Sequence, residues 1–488
     1  MNRLLSFVLC ASLLLSLCAC SQAAEPQPPA ASAPADTLPD SSVQPQEPQA
    51  ATLPTVSGEQ DSYNLTWGEM QDAAFWIALA EEPQALRMTA AEITAYNAAI
   101  AGTESTDVEA LDSWPEALTA HELKALLDHY GEMPDSGYYT PSGALTVVQR
   151  AEMGTNRNQE AVAAENPVRY GFVAENTVLR TFPSATPLYD SPDSWEYDKG
   201  AETAFKLWEP VLVLHTSADE QWYLVQAYDY LGWLPVADVA LCDKSTWDGL
   251  RTDLRDNCLT VTAARLPLDG SFSTPALGGT VLKMGTRLPM LASTGGADNA
   301  TPDNCYIVQL PLRRENGTLE LVSARIPRQE DVCEGFLPYT TENVLRQAFK
   351  LLGHRYGWGG TADGWDCSSI CQDVFRTMGL DLPRNSSRQR QIPGCIDTSA
   401  FRSDQKTEAL SVLLPGAMLE LPGHQTMYIG RFEGVDYVIH ATHGVYDGLG
   451  RFYNANAVIV SSVQARRSNG KTLLENFRGF SMPVAISQ

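Results

Sequence analysis

The stretch from Gly353 to Asn385 constrains this chain most. Trp358-Gly359-Gly360 leads into Asp366-Cys367-Ser368-Ser369, so a glycine-rich turn runs directly into a cysteine. From Cys367 onward Ile370, Cys371, Val374, Phe375 and Met378 recur at three- and four-residue steps, which predicts a helix with one buried face. Gly379 supplies the stop signal. A thiol at a helix start meets free N–H groups and the positive end of the helix dipole. That location predicts a lowered thiol pKa and an available thiolate. The same N–H groups are suited to hold the oxyanion of an acyl-transfer intermediate.

At 488 residues the chain exceeds one ordinary core, so three or four domains are expected. Its formal net charge of −25 leaves no basic face and excludes nucleic acid as the expected partner. The first twenty residues read as an export signal, with Arg3 as the positive start and Leu4 to Leu17 as the apolar stretch. Leu17-Cys18-Ala19-Cys20 looks like a lipobox, which predicts lipid attachment at Cys20 and a membrane-tethered body outside the cytoplasm. An ordinary signal peptide or an anchor helix is the alternative, but the apolar run is short for a span. Residues 21–58 are rich in Pro, Ala, Ser, Gln and acids and predict a disordered linker.

Residues 59–165 read as a mostly helical packing domain. Trp67, Met70, Ala74 and Ala78 are spaced for one helix, and Thr89 with Glu92 and Thr119 with Glu122 are capping-box starts. Residues 166–245 alternate short β-rich runs with turn residues, the rhythm of a small barrel, and residues 246–332 repeat it. Asn316-Gly317 marks a hairpin in the second set. In residues 333–488 a helix capped by Thr340 and Thr341 precedes the Cys367 helix. Gly416 to Leu421, Thr426 to Ile429 and Tyr437 to His440 then read as antiparallel strands. The expected class is α+β, with a cysteine helix packed on an antiparallel sheet.

A thiol hydrolase needs a nucleophile, a base and a group that orients the base. His424 opens one strand and His440 ends the next, so their imidazoles can lie side by side. We assign Cys367 as nucleophile, His424 as base and later general acid, and His440 as orienter. A zinc site of Cys367, His424, His440 and His443 is the competing arrangement. Zinc cysteines usually come in closely spaced pairs, and no C-x-x-C exists here. No cofactor is implied. Cys371 fits the buried helix face, and the remaining cysteines show no tight pairing pattern.

Three stretches carry a resemblance: Leu352-Gly353-His354-Arg355-Tyr356-Gly357-Trp358-Gly359-Gly360, Asp366-Cys367-Ser368-Ser369, and Leu382-Pro383-Arg384-Asn385-Ser386 with Gln389. With His424, Met427-Tyr428-Ile429-Gly430 and Ile439-His440-Ala441, they resemble NlpC-type cell-wall endopeptidases, which are papain-like cysteine peptidases. Val178 to Pro183 and Tyr230 to Leu234 resemble bacterial SH3-like domains of cell-wall proteins. The leader, helical region and paired barrels resemble a subset of that family with tandem SH3-like modules. The resemblance implies hydrolysis of peptidoglycan stem peptides between γ-D-glutamate and a diamino acid such as diaminopimelate. It implies the same trio, Cys367, His424 and His440. In the subset the first module walls the site and selects stems with a free N-terminal L-alanine. Asp366 and Ser368 then match residues that hold the amino end, Tyr356 a tyrosine beside the cysteine, and Ser386 a motif of the same pocket. Tyr230 is the candidate contribution of the first module. Each has a plainer role open to it: Asp366 as helix cap, Arg384 and Ser386 as loop braces, Tyr230 as barrel surface. Amidase or acyltransferase chemistry on the same trio, or a non-catalytic wall-binding scaffold, are the other function classes.

Overall fold

The computed structural model describes residues 62–132, 137–193, 196–268, 278–291, 304–328 and 331–486. The expected export signal, the lipidated Cys20 and the linker at 21–58 lie outside the described residues. No helix among the described residues is long and apolar enough to cross a membrane.

In the first region, helices form at Ala73–Leu79, Ala90–Ala101, Ala120–Leu127 and Val147–Asn156. Both expected capping boxes close: the Thr89 N–H donates to the Glu92 carboxylate at 2.7 Å and the Thr119 N–H to Glu122 at 2.8 Å. The single helix expected through Trp67 and Ala78 does not form. Gly68–Gln71 makes one 3-10 turn and Asp72 turns extended, its side chain accepting from the Ala74 N–H at 2.9 Å. Asp72 thus starts a new helix instead of continuing the old one, as a short acceptor side chain does when it competes for backbone N–H groups. The short helix buries Trp76 against Tyr437 and Phe75 against Phe432, each at 5.1 Å between ring centroids. A bridge from Leu65 to Ser461 lays the start of this region along the edge of the last sheet.

Residues 169–242 form one seven-stranded antiparallel sheet. Its order is Val239–Cys242, Arg169–Val173, Pro210–Thr216, Trp222–Gln226, Leu231–Pro235, Thr177–Arg180, Ala201–Phe205. The helix Lys244–Asp256 follows and buries Trp247 beneath it. The second β-rich set is built differently, as one three-stranded and two two-stranded sheets. The Asn316-Gly317 hairpin closes there between Cys305–Arg313 and Leu319–Pro327.

The last region is a six-stranded sheet in the order Ile396–Asp397, Gly479–Ser481, Met418–Leu421, His424–Phe432, Val435–Tyr446, Phe452–Ser462. The helix Cys367–Arg376 packs on it through Ile370, Cys371, Val374 and Phe375, in one core with Met427, Ile429 and Ile439. The helix's polar face is also buried, which amphipathic spacing does not foretell. There Lys206 pairs with Asp373, and Arg376 makes a two-pronged contact with Glu209 at 2.6 and 3.0 Å. Gln372 Nε2 donates to Asp229 at 2.7 Å and to the Tyr228 hydroxyl at 2.8 Å. The first barrel therefore covers the face that sequence periodicity assigns to solvent.

Candidate active site

The glycine turn docks this barrel. Trp358 Nε1 donates to the Ala201 carbonyl at 3.1 Å. Gly359 has φ +62°, and a Cβ there would lie 2.6 Å from the Glu202 carbonyl oxygen. Only glycine permits both the conformation and the approach. The strand Ala201–Phe205 is thereby held beside the start of the cysteine helix.

Cys367 is the first residue of that helix and is half-buried. Asp366 caps it, accepting from the N–H groups of Ser368 at 3.2 Å and Ser369 at 2.8 Å. Asp366 is also gripped by Arg384, with Nη1 at 3.1 Å and Nη2 at 2.5 Å. Arg384 reaches the Ser368 hydroxyl at 2.9 Å and Thr203 at 2.7 Å, so one guanidinium ties nucleophile loop to barrel. Burial alone would raise the Asp366 carboxyl, but Arg384 and the Ser369 contacts outweigh it and hold it below the ordinary carboxylate value.

His424 opens its strand as expected, whereas His440 lies within the strand Val435–Tyr446 and not at its end. They stand on neighbouring antiparallel strands, with His424 Nε2 2.8 Å from His440 Nδ1. His440 Nε2 lies 3.1 Å from the Ser461 hydroxyl. The thiol is within reach of the Gln425 backbone N–H, next to His424. If His440 donates at Nε2 to Ser461, its Nδ1 accepts, His424 donates at Nε2, and His424 Nδ1 is left as an acceptor. A base with a free Nδ1, on the residue before the Gln425 N–H that the thiol reaches, has the acceptor that acyl transfer requires.

The electrostatics differ from the expected thiolate. Burial pushes the Cys367 thiol up to about 12, and the Asp366 carboxylate adds to the rise against the pull of the Gln425 backbone and Arg384. Of the two N–H groups that cap Asp366, those of Ser368 and Ser369, only the Ser368 N–H still pulls the thiol down. Burial, His440 and Arg467 hold His424 well below the usual imidazole value, and burial with Arg467 takes His440 down to about 3. These shifts all favour the uncharged thiol and the uncharged imidazoles over a standing ion pair.

The remaining expected residues fall as follows. Tyr356 is half-buried, and burial with the nearby Cys367 and Asp366 raises its phenol. Tyr230 reaches the site from the barrel: its hydroxyl donates to Glu202 at 2.6 Å and receives Asn385 Nδ2 at 3.3 Å. Ser386 begins the short helix Ser386–Gln389 beside Asn385, and its hydroxyl makes no hydrogen bond among the described residues. His443 is engaged elsewhere, with Nδ1 2.6 Å from the Tyr197 hydroxyl and its ring stacked on Phe452. Among the described residues no group of three His, Cys, Asp or Glu side chains is disposed to hold a metal. The described cysteines carry no disulfide.

Sequence reasoning misses Glu202, Ser461 and Arg467, and sees Arg384 only as a brace. Arg384 stands inside the Pro383-Arg384-Asn385 motif and could have been paired with Asp366 on charge alone. Glu202 lies in a barrel strand and Arg467 in a late loop, with no local signal to mark either.

Residues 353–474 match the NlpC/P60 family model, and residues 187–235 match the SH3 domain model of SH3b1 type. The chain therefore carries an NlpC/P60 domain of papain-like α+β fold together with an SH3b domain. The bifunctional muramidase/DL-endopeptidase CwlT of Bacillus subtilis (strain 168) is 30% identical over 117 residues, 24% of this chain and 29% of that protein. The gamma-DL-glutamyl hydrolase of the same strain is 27% identical over 105 residues, 21% of this chain and 24% of its own length. The matched segment thus spans under a third of either curated relative. A solved NlpC/P60 endopeptidase from Photobacterium damselae subsp. piscicida superposes with a TM-score of 0.66 at 20% identity, covering 84% of this chain and 96% of that one. That likeness shows a shared fold.

Proposed function

We propose that this chain is an exported cysteine endopeptidase of cell-wall stem peptides. It would hydrolyse the bond between γ-D-glutamate and a diamino acid in stems with a free N-terminal L-alanine. The observation that carries the reading is the line of contacts from His424 through His440 to Ser461, with the Cys367 thiol within reach of the adjoining Gln425 backbone N–H. The names of the two curated relatives, a DL-endopeptidase and a γ-DL-glutamyl hydrolase, support the bond class.

In this mechanism Cys367 Sγ attacks the amide carbonyl as its proton passes to His424 Nδ1. The thiol ionises only as the bond forms, which suits a neutral resting pair. His440 accepts from His424 Nε2 and keeps its ring oriented. The Cys367 N–H, not taken by the Asp366 cap, is the helix donor left for the oxyanion. His424 then gives its proton to the leaving nitrogen, and water releases the acyl group from sulfur by the reverse path. Asp366 is already neutralised by Arg384. Glu202, which has no ion pair among the described residues and whose carboxyl burial raises, is the better counter-charge for the substrate's ammonium, with Tyr230 aiming it. Tyr356 and Ser368 complete the walls.

The test is digestion of defined muropeptides by wild type and Cys367→Ala, read by mass spectrometry. A cut after γ-D-glutamate only in stems with free L-alanine, absent in the variant, is expected. Cleavage of muramyl-bearing stems as well would remove the amino-end selection. No Cys367-dependent cleavage would sink the peptidase reading. Tethering through a lipid at Cys20 belongs to the same proposal, and a Cys20→Ser chain should move from the membrane to the soluble fraction.

A further inference from the structure

Arg467 lies in the loop after the last long strand, its N–H donating to the Lys471 carbonyl at 3.0 Å. Its Nη1 donates to the Pro422 carbonyl at 2.7 Å, two residues before His424. The guanidinium is half-buried, and among the described residues it forms no ion pair. By contrast Arg384 sits on Asp366 and Arg376 on Glu209. A guanidinium has five donors, and burying such a charge without a partner is costly.

Its charge acts on the reacting groups: it holds down both His424 and His440 and is itself favoured by the Cys367 thiolate. Activating the nucleophile does not explain it. A cation that favours the thiolate also disfavours the imidazolium formed in the same proton transfer, so the two effects oppose each other. An anion brought by the substrate does explain it. His424 must protonate the leaving nitrogen, so the residue carrying that nitrogen lies against the Pro422–His424 segment where Arg467 is held. The acyl side is the one whose amino end the proposed reading gives to Glu202 and Tyr230.

We propose that Arg467 is the specificity residue of the leaving side and binds a carboxylate on the diamino acid that departs with the new amine. This rests on the endopeptidase reading and deepens it. The carboxylate has two possible sources, the residue's main-chain carboxyl or, in diaminopimelate, its side-chain carboxyl. Arginine suits either through a two-pronged contact.

The experiment compares three peptides, each L-alanyl-γ-D-glutamyl followed by lysinamide, lysine, or diaminopimelate with its main-chain carboxyl amidated. They carry no carboxylate, a main-chain one and a side-chain one on the leaving residue. Wild type should prefer at least one carboxylate-bearing peptide to the lysinamide peptide by about tenfold or more in kcat/KM. Arg467→Gln should abolish that preference, mainly through KM, and Arg467→Lys should keep part of it. The favoured peptide identifies the source. Equal losses on all three peptides would make Arg467 a brace of the Pro422 turn and overturn the proposal, as would a wild type with no preference. If Arg467→Gln melts below assay temperature, the wild-type ranking and Arg467→Lys decide the matter. Absence of any Cys367-dependent cleavage would instead remove the endopeptidase reading beneath it.

Discussion

The two β-rich regions meet the cysteine-bearing domain in opposite ways. The first presents buried charge: Lys206 to Asp373, Glu209 to Arg376, and Thr203 to an Arg384 that itself holds Asp366. The second offers contacts with one or both partners wet, such as Arg287 to Asp381 at 2.7 Å and Lys350 to Asp331 at 3.7 Å. The first also sends Glu202 and Tyr230 to the site, while the second lends only scaffold. A barrel that walls a pocket must be fixed to within tenths of an ångström, and buried two-pronged pairs impose that geometry where solvated ones do not.

The largest effect should come from cutting the first attachment. Arg376 faces Glu209, with Asp229 close by, and both side chains of the Arg376–Glu209 pair are about nine-tenths buried. Arg376→Met strips the cation from two enclosed carboxyls and should cost about 3–5 kcal/mol in denaturant unfolding. Arg376→Met with Glu209→Leu should recover most of that, because a dry apolar pair replaces a dry ionic one. The matched change in the second region, Arg287→Met, should cost about 1 kcal/mol or less, since water already shares that pair. Equal losses at the two arginines would erase the distinction between the regions.

How much of this was legible in sequence follows from the range of each interaction. The Cys367 helix, the two histidine strands, and the Thr89 and Thr119 caps are all written in local spacing, and they form. The same local logic fails at Trp67 to Ala78, because Asp72 offers its neighbours a cap that a purely apolar pattern ignores. It fails again on the polar face of the Cys367 helix. Gln372, Asp373 and Arg376 look like a solvated stripe until residues 160 positions or so away in sequence cover them. The thiol follows the same rule. Position at a helix start argues for a lowered pKa, but burial outweighs it, and Asp366, one residue earlier, adds a negative charge and takes N–H groups for its own cap. Glu202 and Arg467 were invisible because each is an ordinary charge in its own segment and gains meaning only from what the fold sets opposite it.

Asp229 tests the same contrast from inside the first region, through pH. Burial lifts its carboxyl to about 6, against the pull of Arg376 and the hydrogen bond from Gln372. The native chain therefore holds this proton until about pH 6, whereas the unfolded chain releases it near 4. Between those values the native state binds more protons, so this residue's contribution to stability falls as pH rises through the window and is fully lost above it. The loss is on the order of 2 kcal/mol, allowing for partial exposure of the carboxyl. Asp229→Asn keeps an acceptor for Gln372 and removes the ionisation. It should melt like wild type near pH 4 and at a higher temperature near pH 7.5. A variant that is less stable at pH 7.5 would show the Asp229 carboxylate to be stabilised by Arg376, with its carboxyl below the ordinary value instead of above it. The buried side of the barrel contact would then be a three-membered charge cluster, and the cost assigned to Arg376→Met would have to be shared among all three.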